Sequence, residues 1–76
     1  MSPFLPQVNA KDLARVAKKL GFELDRQKGS HAVFYRASDK ARVVIPMHAG
    51  RDIKPKILHA IVEDMRITPE QFKNLL

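Results

Sequence analysis

Apolar residues recur along this chain in two rhythms. Leu13, Val16, Ala17 and Leu20 fall at i, i+3, i+4 and i+7, the stripe of one buried helix face. Asn9 precedes them as a good N-cap, and Asp12 sits three residues on, where an acidic side chain favours the helix dipole. Val8 and Leu13 occupy the two positions of a hydrophobic staple. Gly21 is placed to stop this helix in a left-handed conformation. The rhythm then shortens. In residues 22–27, Phe22 and Leu24 alternate with Glu23 and Asp25, which predicts a strand with one wet face. Residues 31–37 are rich in Val, Phe and Tyr and read as a second strand. Residues 41–47, with Val43, Val44 and Ile45, read as a third, and Pro46 puts it at a sheet edge or marks its end. Lys28-Gly29-Ser30 and Ser38-Asp39-Lys40 are the turns. Such short loops make an antiparallel meander.

The helical rhythm returns after residues 48–52. Asp52 is an N-cap candidate, Pro55 is tolerated in a first turn, and Ile57, Leu58, Ile61, Val62 and Met65 form a stripe. Thr68-Pro69-Glu70-Gln71 then has a threonine cap, a proline at the first helical position and a glutamine to close a capping box. Ile67 and Phe72 fit the staple positions, and Leu75 and Leu76 are available to close over the core. Residues 1–8, punctuated by Pro3 and Pro6, read as an extended lead-in. The expected fold is therefore α+β: α-β-β-β-α, a three-stranded antiparallel sheet with one face covered by helices, and a short C-terminal helix. Residues 1–76 are expected to form one domain. A chain this short buries only about 60% of its unfolded surface. A site on it would be shallow and suited to a polymer lying across the surface.

Charge changes the picture. Fourteen Lys and Arg against eight Asp and Glu leave a net +6 on 76 residues, which favours a polyanion, first of all nucleic acid. Lys11, Arg15, Lys18 and Lys19 gather on the first helix opposite its apolar stripe. With no acidic residue at i+4 beside them, they are candidates for RNA backbone contact as well as an ordinary solvated face. There is no cysteine, so disulfides, thiolate metal sites and cysteine nucleophiles are excluded. Neither a signal peptide nor a run of about 20 apolar residues is present. The expectation is a cytoplasmic protein that does not engage a membrane.

Candidate chemistry centres on residues 26–31, Arg-Gln-Lys-Gly-Ser-His. The turn delivers His31 to the start of an apolar strand, and histidine takes or gives a proton near neutral pH. Gly29 lets backbone N–H groups approach an oxyanion, and Lys28 and Arg26 can hold a phosphate. A base that deprotonates a ribose 2′-OH, with cations to stabilise the charge on phosphorus, is enough to cleave RNA without a metal. On these residues alone His31 is either such a base or an ordinary turn or core histidine. Ser30 is adjacent to it, but chain neighbours on a strand point to opposite faces, so a Ser-His pair is not expected. His48 reads as a loop histidine and His59 as a partly exposed helix residue. The histidines and carboxylates show no metal-ligand spacing, and neither metal nor cofactor is expected. Which sheet face His31 joins stays open: His31, Val33 and Tyr35 share one face, and Ala32, Phe34 and Arg36 the other, both mixed.

Taken in order, these pieces resemble the HicA family of bacterial and archaeal toxins. The resemblance runs through the lysine-rich first helix, Gly21-Phe22, Arg26-Gln27-Lys28-Gly29-Ser30-His31, Val44-Ile45-Pro46-Met47-His48, Asp52-Ile53-Lys54 and Ile67-Thr68-Pro69-Glu70-Gln71-Phe72. It implies a fold like the double-stranded-RNA-binding domain. It also implies an endoribonuclease, the toxin of a toxin–antitoxin pair, that arrests translation by cutting mRNA. The family's active histidine corresponds to His31, and a cognate HicB antitoxin covers that site. The chain departs from the family pattern twice. Lys56-Ile57 stands where Gly-Thr is common at the start of the second helix, and Arg66 stands where glycine often precedes the last element.

The expectation is thus a metal-independent mRNA endonuclease, monomeric when free, with His31 as general base. Lys28, Gly29 and Ser30 steady the phosphate of single- or double-stranded RNA, and Lys11, Arg15, Lys18 and Lys19 track its backbone. The alternative is a non-catalytic double-stranded-RNA-binding module, which binds by shape and phosphate contacts. A third reading, a domain whose basic face meets an acidic protein, predicts no RNA affinity at about 150 mM salt.

Overall fold

The computed structural model describes residues 5–48 and 51–76. Its elements run α1 (Ala10–Lys19), β1 (Glu23–Lys28), β2 (His31–Arg36), β3 (Ala41–Pro46), α2 (Pro55–Asp64) and α3 (Pro69–Leu75). The α+β class, the α-β-β-β-α order and the short C-terminal helix are as expected. The extended lead-in expected for residues 1–8 falls partly outside the described residues.

Local chemistry explains the ends of α1 and α3. Asn9 and Asp12 form a full capping box, each side chain accepting from the other's backbone N–H, at 2.9 and 3.2 Å. Thr68 and Gln71 repeat it on α3. At the far end of α1, Gly21 adopts φ +91°. Its N–H reaches the Lys18 carbonyl and that of Phe22 reaches Ala17, the paired bonds of a Schellman motif. Phe22 thus enters the core as the residue that closes the helix. The start of α2 differs from expectation. Asp52 does not cap it; Lys54 is the N-cap, without a side-chain bond, and Pro55 is the first helical residue. Proline holds its predecessor in extended backbone, here ψ 143°, so the helix begins at the proline. Asp52 instead pairs with Asn9 in an isolated bridge, and Ile53 N–H donates to Val8 O.

The sheet is ordered β1-β2-β3 and antiparallel throughout. Ala32 and Phe34 of β2 and Ala41, Val43 and Ile45 of β3 point inward. They meet Leu13, Val16 and Ala17 of α1, Leu58, Ile61 and Val62 of α2, and Phe72 of α3 in one core. Burying the Phe72 ring completely is worth roughly 3 kcal/mol, so the last helix is part of that core. Ile57, expected in the α2 stripe, is 42% exposed.

β1 also departs from expectation. Every one of its residues is exposed, Phe22 lies ahead of it, and Leu24 is 52% exposed. The helices pack against β3, at the opposite edge. A bulge between Leu24 and Arg26 shifts the register: Leu24 faces Phe34, whereas Arg26 faces Val33. Opposed residues share a sheet face, and one extra residue flips every later side chain of the strand. Leu24 therefore lies on the inner face, and Arg26 and Lys28 lie on the outer one.

One polar cluster ties the elements together. Arg36, last on the inner face of β2, donates Nε and NH2 to the Asp39 carboxylate at 2.9 and 2.8 Å, and NH1 to Leu20 O at 2.9 Å. Its guanidinium lies 4.5 Å from the Phe22 ring centre, a cation–π contact. Asp39 also accepts from Ala41 N–H and, at 3.4 Å, from Arg66 NH1.

Two of these joints have measurable consequences. The Arg36 hydrogen bonds, helped by the Ala41 N–H and the nearby Arg66, lower the Asp39 pKa from 3.8 to about 2. A carboxylate depressed in the folded state contributes stability that is complete above its unfolded pKa and is lost as pH falls through the folded value. In urea titrations Asp39→Asn is expected to be less stable than wild type at pH 7, and the gap to narrow from about pH 4 and close near pH 2. The second joint is Arg66, which holds φ +64° just past α2, a backbone that suits glycine. Arg66→Gly is expected to raise unfolding stability by about 1 kcal/mol, because the long exposed contact to Asp39 contributes little. Arg66→Ala, which keeps the strain, is expected to bring no gain.

Candidate nucleic-acid and catalytic site

The hairpin between β1 and β2 turns on two residues. Gly29 has φ +56° and no other residue of the turn has positive φ. That is the pattern of a type II′ turn, with glycine at its first central position. The turn sets Lys28 directly opposite His31. Beyond the turn, Met47 N–H donates to Ser30 O, which carries the β2–β3 ladder one step past the His31–Pro46 pair. The strand that begins with His31 is thus held on both sides.

The register also decides which face His31 joins. Ala32 lies opposite Ile45 and Phe34 opposite Val43, all buried, so His31, Val33 and Tyr35 face outward. The open face carries Lys28, His31 and Pro46 in one row, Arg26, Val33 and Val44 in the next, and Glu23, Tyr35 and Arg42 in the third. Arg42 lies over the Tyr35 ring at 5.7 Å, Arg26 is paired with Asp25 at 3.1 Å, and Val44 is 43% exposed. Among the described residues no helix covers this face.

At one corner the face becomes a groove of about 540 Å³, where β3 meets the segment leading into α2. His31, Val44, Pro46, His48, Arg51, Asp52, Ile53, Lys54 and Ile57 line it. It joins two imidazoles, two cations, a carboxylate and an apolar floor in a shallow open trough. Such a trough can seat a phosphate against Arg51 and Lys54 with a ribose or base on the valine and isoleucine side chains. Among the described residues no hydrogen bond to a protein group holds the His31 or His48 ring. A second, more apolar groove of about 900 Å³ lies between residues 5–7, α2 and the end of α3, with Leu5, Leu58 and Leu76 in its wall and His59 as its one histidine.

The sequence-predicted residues do not all meet. Lys28 stands across from His31, and Gly29 and Ser30 form the adjoining turn. Lys11, Arg15, Lys18 and Lys19 are exposed on α1, in the helix layer behind the sheet, away from His31. Two of them have partners there: Arg15 pairs with Asp12 at 3.1 Å, and Lys19 Nζ donates to Leu75 O at 2.7 Å. Sequence reasoning missed Arg51, Lys54 and His48 as neighbours of His31. The signal was the strand pairing: the turn at residues 37–40 sets Arg36 opposite Ala41, and from that register Pro46 and its successors run alongside His31. No three of the described His, Asp and Glu side chains gather as a metal cluster, and no helix among the described residues is long and apolar enough to cross a membrane.

The family model described as the HicA toxin of bacterial toxin–antitoxin systems matches residues 10–67, from α1 to the segment before α3. No curated protein matches the chain.

The turn offers a direct test of the site's scaffold. A Cβ on Gly29 would meet no atom within 4 Å, so Gly29→Ala isolates the backbone term. It is expected to cost about 1 kcal/mol of unfolding stability. The expected NMR signature is a set of amide shift changes confined to residues 27–32 and 46–48.

Proposed function

The chain belongs to the HicA toxin family of toxin–antitoxin systems, and from that premise we propose that it is a metal-independent endoribonuclease that cuts mRNA. The observation that carries the proposal is the exposed His31 at the head of β2, beside Lys28 and in one groove with Arg51 and Lys54. His31 is the general base. It removes the proton from a ribose 2′-OH, that oxygen attacks the adjacent phosphorus, and the bond to the 5′-oxygen breaks. The products are a 2′,3′-cyclic phosphate and a free 5′-hydroxyl. Lys28, Arg51 and Lys54 surround the phosphate as negative charge grows on its oxygens. Gly29 and Ser30 hold the turn that positions both His31 and Lys28. The open sheet beside the groove suits single-stranded RNA, whose bases can lie on Val33, Tyr35 and Val44.

An antitoxin is the partner that membership of a toxin–antitoxin system implies. We take it to be HicB-like and to cover the His31 groove, with the free toxin a single-domain monomer acting in the cytoplasm. The α1 cations Lys11, Arg15, Lys18 and Lys19 then serve as a second contact, for a strand that wraps past the sheet edge, rather than as neighbours of the scissile phosphate.

Purified protein is expected to cut an unstructured RNA in the presence of EDTA. His31→Ala is expected to reduce the rate by about 10²–10⁴-fold with RNA affinity retained, and to remove the growth arrest that expression of the wild type produces. Undiminished cutting by His31→Ala would overturn the assignment of the base. Binding without cleavage by the wild type would leave the non-catalytic RNA-binding module as the function.

A further inference from the structure

We infer that His48 is the general acid that protonates the leaving 5′-oxygen, completing a two-histidine site with His31. The inference deepens the ribonuclease reading and rests on it. Breaking a phosphodiester by 2′-oxygen attack needs two proton movements. The 2′-OH must lose a proton, and the 5′-oxygen must gain one, or it departs as an unstable alkoxide. In-line displacement puts these two oxygens on opposite sides of phosphorus. One histidine cannot reach both at once, so a second proton carrier has to stand across the phosphate from the first.

The fold puts a second imidazole there. His31 is paired with Pro46, and the Met47–Ser30 bond continues that ladder. By the strand alternation Pro46 points outward and Met47 inward, where it packs on the core. His48 comes next on the outward side, as the diagonal neighbour of His31. Diagonal neighbours across an antiparallel pair stand about 7–8 Å apart at the backbone, which leaves room for one phosphate between two rings. Both histidines are exposed and line the same groove. Arg51 N–H donates to His48 O at 3.2 Å, and Arg51 lines that groove too.

The protons balance. His31 starts neutral and takes the 2′-OH proton, while His48 starts as imidazolium and gives its proton to the 5′-oxygen. The P–O2′ bond forms as the P–O5′ bond breaks. Net charge on the protein is unchanged, and exchange with water resets both rings.

A sulfur-for-oxygen substitution in the RNA isolates the acid. In a strand whose scissile 5′-oxygen is replaced by sulfur, the leaving group is a thiolate. Thiols have a pKa near ~8.5, so the thiolate departs without being protonated. On ordinary RNA, His48→Ala and His48→Gln are expected to cut about 10²–10⁴-fold more slowly than wild type. On the 5′-thio strand both are expected to come within a few-fold of wild type, which also shows that they are folded and bind RNA. His31→Ala is expected to remain impaired on both strands. A deficit in the His48 variants that is equal on the two strands, or no deficit on ordinary RNA, overturns the assignment of His48 alone. Wild-type protein that cuts neither strand overturns the ribonuclease reading itself.

Discussion

The guanidinium of Arg36 is the interaction on which the joints of this fold converge. It fills the last inward position of the central strand with a cation, where apolar alternation calls for a hydrophobe. That cation is compensated on every side: two bonds to Asp39, one to the end of α1, and the face of Phe22. Through Asp39 it reaches the β2–β3 turn and the Arg66 bend between α2 and α3. A planar fork with several fixed donors can do this; lysine cannot. The consequence is a polarised strand. β2 is bolted at Arg36, and its other end, five residues along and about 17 Å away, carries His31 with no helix above it among the described residues. Rigidity and accessibility are thereby separated along one strand, so the exposed end is held in a fixed position.

Much of this was legible because it is written locally. The N-caps Asn9 and Thr68, the capping box of α3, the left-handed Gly21 and the hairpin turns depend on residues within four positions of one another, and their residue types name their geometry. The missing glycine before α3 was legible as well, and the positive φ of Arg66 supplies its physical reason. What failed was non-local. The alternation of Phe22 and Leu24 suggested a half-buried strand, yet Phe22 belongs to the helix stop, and the bulge after Leu24 is a property of the pairing with β2. Asp52 looked like a cap, but Pro55 sets where α2 begins. Ile57 looked buried by helical period, yet it sits where α2 overhangs the sheet edge and lines the groove instead. The face of His31 was undecidable from β2 alone, and only the register with β3 resolves it.

The bulge has a chemical consequence as well as a topological one. In a regular strand Leu24, Arg26 and Lys28 would share a face. The inserted residue leaves Leu24 on the helix side and turns Arg26 and Lys28 toward His31. A single extra residue thus gathers cations at the histidine without lengthening any loop, and the cost is one half-exposed leucine at an edge.

Net charge is accordingly a blunt guide to this molecule. The +6 total is divided between two layers that face opposite ways, the exposed side of α1 and the outer face and corner of the sheet. Part of it is already engaged within the protein, in the contacts of Arg15, Lys19, Arg26 and Arg36. Among the groove cations, Arg51 and Lys54 make no ion pair among the described residues. A chain of this size has no depth in which to bury a reactive group and shift its protonation. Strand register instead sets His31 beside Lys28 and Pro46, and the groove at that corner joins two imidazoles and two cations. An arrangement set by register is sensitive to backbone geometry at the turn and the bulge, and comparatively tolerant of change at the exposed surface elsewhere.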